Sequence, residues 1–548
     1  MKKFLALSLA LVMLFSLVAC AGGDTTSDAD DDGPVKLTVG IQQNMAIESF
    51  EENAMTQWLE EECDVDLEFV VYTGLLADIE TKLSTTIAAN QELPDIMIGL
   101  RIQDIPRQIY GNSGYLLDMQ EYFKDKDGAS KVFWERIQEL SETNQGALVA
   151  EMTDPESGAI YALPTINISL FDDMNYQAWI NKDWLAKIDM DAPTNCEELL
   201  AVLRAFNETD CNGNGKNDEI PLVASVNGSL GCYVEDWILN MFTWYNKDAP
   251  YQVDENGQLS PAYTTDTYRE GVKFLRQLYK EGLLTELVYT SSGDELRNMA
   301  DPADGVARAG IFIGHLSLHT SDDSKVLDQY APLKTWGYAV SRPMPISSGM
   351  ASMISTSCKN PDKAFEVFMK MWTKEGSWRL RYGKKGFNWD DPDEGATSVI
   401  GEPAEYKLLY EHHGEQHTNT WGWARGTFVN AAEGETAQLA GDLNAGVKRR
   451  MQMHAESLSL FNEAAAENNP KVTCPKLVYS ILEKQEIEME QINVDSRVSN
   501  YRMEFVTGAK DINDDAVWED YLKQLKDGGL DKVLEMAQKA YDRQTKDN

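Results

Sequence analysis

Histidine is scarce in this chain, with six residues in 548, and cysteine is nearly as rare at seven, with no CxxC pair. Zinc centres gather these residues at short, fixed spacings, so none is expected. Basic charge is also short. Forty-nine Lys and Arg stand against 89 Asp and Glu, a net of −40. Nucleic-acid binding needs a basic footprint, so it is not expected, and neither is general adhesion to an anionic surface. An anionic ligand stays open, because a few local Arg or Lys residues suffice to line a cleft. Beyond the N-terminus no hydrophobic run reaches the roughly 20 residues that span a bilayer. HExxH, GxSxG and a phosphate loop are all missing.

The N-terminus has three zones. Lys2 and Lys3 supply positive charge, residues 4–18 are apolar apart from Ser8 and Ser16, and Leu17-Val18-Ala19-Cys20 follows. This is the layout of a secretory signal over residues 1–19. Leu-Val-Ala-Cys resembles the bacterial lipobox, in which cleavage precedes a lipid-modified cysteine. Acyl chains on Cys20 would then hold the protein to a membrane. Losing Lys2 and Lys3 takes the net charge from −40 to −42. Residues 21–34, AGGDTTSDADDDGP, are acidic and lack large apolar groups, so with Cys20 they read as a flexible tether. The expected location is the extracellular face of a cell membrane. A tethered protein suits a Gram-positive cell, which lacks a periplasm to retain it. The other cysteines, Cys63, Cys196, Cys211, Cys232, Cys358 and Cys474, are scattered and expected to be mostly free thiols.

The body starts near Val35 and exceeds what one core usually organises, so two or more lobes are expected. Residues 35–41 and 65–71 read as strands, 47–62 and 77–89 as helices, and 93–99 as a short strand. This order implies a parallel sheet with covering helices. A second such region carries helices at 179–188, 195–206 and 267–281. Thr194 is the expected N-cap of the middle one, with Glu197 completing a capping box. The segment 309–314 reads as a buried strand. Two helices, 515–526 and 530–544, close the chain, separated by Gly528-Gly529.

Several phrases in order resemble the extracellular solute-binding proteins of ABC importers, the type-1 sugar-binding lipoprotein family. They are LPDIM (93–97), GYLLDMQEYF (114–123), IYALP (160–164), INKDWLAKI (180–188), NGNGKNDEIPL (212–222), RYGKKGFNW (381–389) and the terminal stretch 505–543. The resemblance implies an α/β, two-lobed periplasmic-binding-protein-like fold with multiple crossovers and a hinge. Lobe 1 is expected to hold 35–163 plus about 350–420, and lobe 2 to hold 164–349 plus about 421–548. A monomer is expected, delivering a carbohydrate, an oligosaccharide by its size and aromatic content, to the transmembrane subunits of an ABC permease.

Residues 210–219, DCNGNGKNDE, place oxygens at alternate positions: Asp210, Asn212 and Asn214, then the Lys216 carbonyl, Asp218 and Glu219. That spacing suits a hard cation such as calcium. An EF-hand closes with Glu at position twelve, but Pro221 stands there, so Glu219 would have to close the shell. Alginate-binding members of the resembled family carry calcium loops of this modified form. A structural calcium ion is therefore expected.

Sugar rings stack on aromatic faces. The cleft candidates are Trp237, Trp244, Tyr245, Trp336, Trp389, Trp421 and Trp423, while Trp58, Trp134, Trp179 and Trp184 sit in helical patterns that suit a core. Polar candidates lie beyond strand ends: Asn44, Arg101 and His315. His412, His413 and His417 lie in a polar stretch and read as solvated. No catalytic residue is expected and the chain is read as a non-enzyme. The competing readings are a surface carbohydrate-active enzyme, whose paired carboxylates carry no sequence signature here, and a peptide-binding or sensor lipoprotein of the same fold.

Overall fold

The computed structural model describes residues 33–546 apart from 101, 141, 175–176, 225–232, 285, 322, 341–346, 411–415, 423–425, 430–433 and 442. In chain order the strands are β1 (Val35–Gln42), β2 (Val65–Tyr72), β3 (Ile96–Ile98), β4 (Leu163–Asn167) and β5 (Ala178–Asn181). They continue with β6 (Ile220–Val223), β7 (Tyr251–Val253), β8 (Leu259–Pro261), β9 (Ala309–Ile313) and β10 (Tyr330–Leu333). The last are β11 (Ser347–Ile354), β12 (Trp389–Asp390), β13 (Tyr406–Leu408), β14 (Phe428–Val429) and β15 (Ala437–Leu439).

The N-terminal alternation folds as its pattern predicts. β1 lies parallel to β2 with Val35 opposite Val65, and parallel to β3 with Val39 opposite Ile96. Helices Ala54–Cys63 and Leu76–Ala88 make the crossovers. The first helix starts later than its apolar pattern predicts. Asn53 caps it by accepting from the Met55 amide, and Asp64 ends it in the left-handed region at φ 53°. The completed sheet runs β14-β4-β11-β3-β1-β2. Its core takes in Phe133, Phe365, Phe368 and Trp372. The last three lie on helix Pro361–Trp372, whose Pro361 occupies the first turn, where no intrahelical donor is lost.

The second lobe is built on the sheet β10-β5-β9-β6. Helix Asp266–Lys280 buries Tyr268, Val272, Leu275 and Leu278, an apolar stripe at helical spacing. The helix near 195 begins at Cys196. Its cap is Asn195, which accepts from the Glu198 amide, while Thr194 bonds the Glu198 carboxylate; this replaces the expected Thr194–Glu197 pair. Helices Ile481–Thr507, Asp515–Asp527 and Leu530–Lys546 complete this lobe, supplying Ile487, Val494, Phe505, Trp518 and Val533 to its core.

The chain is thus an α/β protein of two lobes. β14 pairs with β4 in the first sheet, so the first lobe takes the chain back at Phe428, past the expected changeover at 421. A small sheet, β12-β13-β15, has its own core of Tyr382, Trp389, Tyr406, Leu408, Val447 and Met451, which the sequence reading did not anticipate.

Candidate functional site

Strand direction fixes where a ligand can sit. β1, β2 and β3 are parallel and end on one edge of the first sheet. β11 is antiparallel to β3 and to β4, so it begins on that edge and β4 ends there. In the second sheet β5 is antiparallel to β9 and β10, while β6 is parallel to β9. The chain leaves β4 for β5 and leaves β10 for β11. Those two connections therefore join the edge where β1 to β4 end to the edge where β6, β9 and β10 end. Both sheets turn the carboxyl ends of their parallel strands to one interlobe cleft, the place where open α/β sheets collect ligands.

On the first lobe, Asn44 follows β1, and its side chain accepts from the Ala46 amide at 3.0 Å. Segments 416–422 and 426–428 pack along this edge. Gln416 Nε2 donates to the Met45 carbonyl at 3.1 Å, His417 bridges Ile47, and the Gly426 amide donates to Thr165 Oγ1 at 2.8 Å. Two glycines let these segments lie close. A Cβ at Gly422 would stand 2.3 Å from Asn44 Nδ2, and one at Gly426 would stand 2.1 Å from Ser352 Oγ; both residues have positive φ. Asn44 and the Trp421-Gly422 region are therefore neighbours.

Trp421 itself is a correction. Its ring is fully buried, packs edge-on to Phe69 and donates Nε1–H to Thr56 Oγ1 at 2.8 Å. Trp389 is likewise buried, in the small sheet, with its Nε1–H on the Gly383 carbonyl at 2.9 Å. The exposed rings nearby are Phe387 and Tyr410, 54% and 38% accessible, with centroids 5.8 Å apart. Phe387 and Asn419 border a cavity of about 470 Å³ with Lys384, Lys385 and Gly386. Trp389, an aromatic candidate in the sequence, is thus a core residue, and the exposed ring of this segment is Phe387, which was not among the candidates. The available signal was glycine: Gly383 and Gly386 both have positive φ, and Phe387 sits on the turn they form.

On the second lobe, Trp237 and Tyr245 are also corrections, because both lie in the core. Trp244 is half-buried and meets Tyr338 edge-to-face at 6.0 Å. Trp336 is half-buried, packed against the same core. His315 follows β9 as expected, but its ring is buried and stacks on His454 at 4.4 Å. His454 Nδ1 lies 3.0 Å from Gln177 Oε1, and Phe171 stacks on its other side. Burial, then the neighbouring His315 and Arg450, hold the His454 imidazole well below the usual histidine range. Burial, His315 and Arg297 lower His319 to about 4. Arg101, Trp423, His412, His413 and Cys20 fall outside the described residues.

The 210–219 loop closes on itself. Asn212 Oδ1 accepts from the Asn214 amide at 3.0 Å, Asn214 Oδ1 from the Lys216 amide at 2.7 Å, and Asp210 Oδ2 from the Gly215 amide at 3.1 Å. Glu219 Oε1 accepts from the Asn212 amide at 3.1 Å. Asp218 Oδ1 takes the side-chain amides of Asn212 and Asn214, each at 2.9 Å, which hold its carboxyl below the usual range. Two buried carboxylate oxygens, Asp210 Oδ1 and Glu219 Oε2, have no hydrogen-bond partner. Buried anionic oxygens left this way are costly unless a cation meets them. Among the described residues no group of three or more His, Cys, Asp or Glu side chains forms a metal centre by itself. Any ion here would need the mixed set of carboxylate, amide and Lys216 carbonyl oxygens.

No protein-family model matches the chain. It is 28% identical over 304 residues to the fructooligosaccharide ABC transporter substrate-binding protein FusA of Streptococcus pneumoniae, covering 52% of this chain and 53% of that one. It is 30% identical over 250 residues to the lipoprotein LipO of Bacillus subtilis, covering 43% and 48%. The chain thus aligns over about half the length of these curated relatives. Solved structures are similar over more of the fold. FusA in complex with kestose has a TM-score of 0.69 at 20% identity, covering 94% of this chain and all of that one. An EF-hand mutant of FusA in complex with fructo-nystose gives 0.68 at the same identity and coverage.

Proposed function

We propose that this chain, which has the fold of the extracellular solute-binding proteins of ABC importers, captures a carbohydrate in its interlobe cleft and delivers it to a membrane permease. The carrying observation is topological: both sheets end their parallel strands at one cleft, spanned by crossovers. The exposed Phe387 and Tyr410 rings and the Asn44 and Asn419 amides give its first-lobe rim the stacking faces and polar groups that a sugar uses. Closure about the crossovers would be driven by tighter binding of the sugar to the closed form. The similarity to FusA, described as a fructooligosaccharide-binding protein, supports this class of ligand. Lipid on Cys20 would keep the protein near its permease, and the similarity to a named lipoprotein supports that anchor.

The test is a thermal-shift screen against mono-, oligo- and acidic saccharides and peptides, run on the wild type and on Cys20→Ala. A ligand present at 100 times its Kd stabilises the native state by about 2.7 kcal/mol. The expected result is a rise in melting temperature with an oligosaccharide in both proteins, with Cys20→Ala leaving the membrane fraction. Turnover of the sugar, or shifts with peptides alone, would sink the reading.

We also propose calcium in the 210–219 loop, held by Asp210, Asn212, Asn214, the Lys216 carbonyl, Asp218 and Glu219. Its role would be structural, because the loop leads directly into β6. The two unpartnered carboxylate oxygens support it, as does the similarity to FusA, of which an EF-hand mutant has been solved. Millimolar calcium should raise the melting temperature by several degrees over chelated protein. Asp210→Asn with Glu219→Gln should abolish that difference, and an equal rise in the double variant would refute the site.

A further inference from the structure

We propose that a second cavity between the lobes is a subsite for an uncharged polyhydroxyl unit, so that the ligand is a neutral rather than an acidic oligosaccharide. This rests on the carbohydrate-binding reading above and names the substrate class within it. The cavity, of about 430 Å³, opens at the start of helix Asp104–Asn112, just past the carboxyl end of β3. Asp104 and Ile105 of the first lobe form one wall. The second lobe supplies the turn 247–251, the linker before helix Ile481–Thr507, and that helix's own side. Two contacts cross between the lobes beside it. Gln108 Nε2 donates to the Tyr479 carbonyl at 3.4 Å, and Lys476 Nζ meets the buried Glu151 carboxylate at 3.2 Å.

The charges in this cavity balance. Asp104, Asp248 and Asp495 line it with Lys247, Lys476 and Lys484. The partners Arg107 and Glu151 add one charge of each sign. Three of the pairings are close: Lys247 to Asp248 at 2.7 Å, Arg107 to Asp104 at 2.9 Å and Lys476 to Glu151. Three of the four cations already hold an acid at ion-pair distance, and the fourth, Lys484, lies within electrostatic reach of Asp104 and Asp495, so a carboxylated sugar would compete with a resident acid for each of them. A neutral polyol faces no such cost. Each ammonium has three donors and each carboxylate about four acceptor sites, so the paired groups keep capacity for hydroxyls. Gln491 Nε2 holds Asp495 Oδ1 at 2.8 Å, and Lys484 lies over the Tyr479 ring at 5.6 Å.

Isothermal titration of the purified chain tests this, with inulin-type, malto- and xylo-oligosaccharides against oligogalacturonates of matched length. The wild type should bind a neutral oligomer and bind uronates at least tenfold more weakly. Gln491→Ala and Lys484→Ala, both at accessible positions, should each weaken the neutral ligand about tenfold, the scale of a hydrogen bond to a charged group. Asp495→Asn leaves one positive charge uncompensated and should strengthen uronate binding about threefold or more. Tighter uronate binding by the wild type would overturn the inference. So would unchanged affinity for the neutral ligand in both alanine variants, leaving the functional reading intact. No heat with any saccharide would remove the functional reading and the subsite with it.

Discussion

Arg502→Met is expected to destabilise the second lobe by about 3–5 kcal/mol at pH 7, the usual cost of leaving a buried carboxylate without its cation. Arg502 reaches from helix Ile481–Thr507 to the short helix Val234–Leu239, where Glu235 and Asp236 are both buried. Its Nε lies 2.7 Å from Glu235 Oε2, and its Nη1 lies 3.8 Å from Asp236 Oδ1 and donates to Tyr245 Oη at 3.1 Å. Tyr289 donates its hydroxyl to Glu235 Oε1 at 3.0 Å, so the acid is also held from another side. One guanidinium thus pairs closely with Glu235, stands within ion-pair reach of Asp236 and bonds Tyr245, inside a core that otherwise buries Trp237, Tyr268 and Val498. Methionine fills part of the volume but supplies neither charge nor donor. The loss should shrink as the pH falls and the stranded carboxyls take up protons. Glu235→Gln in the Arg502→Met background should recover part of it, because the amide removes one stranded charge. Denaturant titration followed by tryptophan fluorescence reads all three. A loss under about 1 kcal/mol would show that Glu235 and Asp236 are satisfied without Arg502.

This network explains why Tyr245, a cleft candidate by sequence, lies in the core. Trp244 and Tyr245 are adjacent aromatics in an irregular stretch, and nothing local separates the half-buried ring from the one the Arg502 guanidinium holds in the core. The same limit applies to Trp421 and Trp389: the first is buried against Thr56, distant in sequence, and the second inside a small sheet that local pattern does not announce. What could be read was local. β1 and β2 show the alternation that half-buried strands require, β3 is a short run buried throughout, and the 210–219 loop's Asx turns follow from Asp and Asn at alternate positions. Helices Ala445–Asn468 and Ile481–Thr507 were missed for a related reason. The second buries Ile487, Val494, Val498 and Phe505, yet exposes Leu482, Met489, Ile492 and Met503 on its other side. Apolar residues on two faces blur the 3.6-residue period that reveals a helix. Cleft topology became legible only when strand order was known, because the family phrases name elements but not their directions.

The histidines carry the second large effect, a loss of stability between pH 6.5 and 4. His319 titrates near 4 in the folded chain and near 6.5 when unfolded. In that window the unfolded chain binds a proton that the native state refuses, so stability rises with pH and falls on acidification. The contribution is complete above about 6.5. By pH 4 the shift of about 2.5 units amounts to about 3 kcal/mol lost. His454 acts in the same direction, because its imidazole is held low by burial, by His315 stacked at 4.4 Å and by Arg450 one turn earlier on its helix. Protonating it would place a cation between Phe171 and His315, against the edge of Trp179, with Arg450 already buried nearby. Carboxylates held low, such as Glu483 at about 2 beside Arg543 and Lys539, lose their contribution in a lower window, from about 4.5 down to 2. The two effects therefore separate along the pH axis. Each refused proton gives a slope of about 1.4 kcal/mol per pH unit. His319→Gln should reduce the slope between pH 6 and 5 by about one such proton, read as unfolding free energy against pH. An unchanged slope would mean that the imidazole charges in the folded chain, and that this cluster tolerates the cation its burial should exclude.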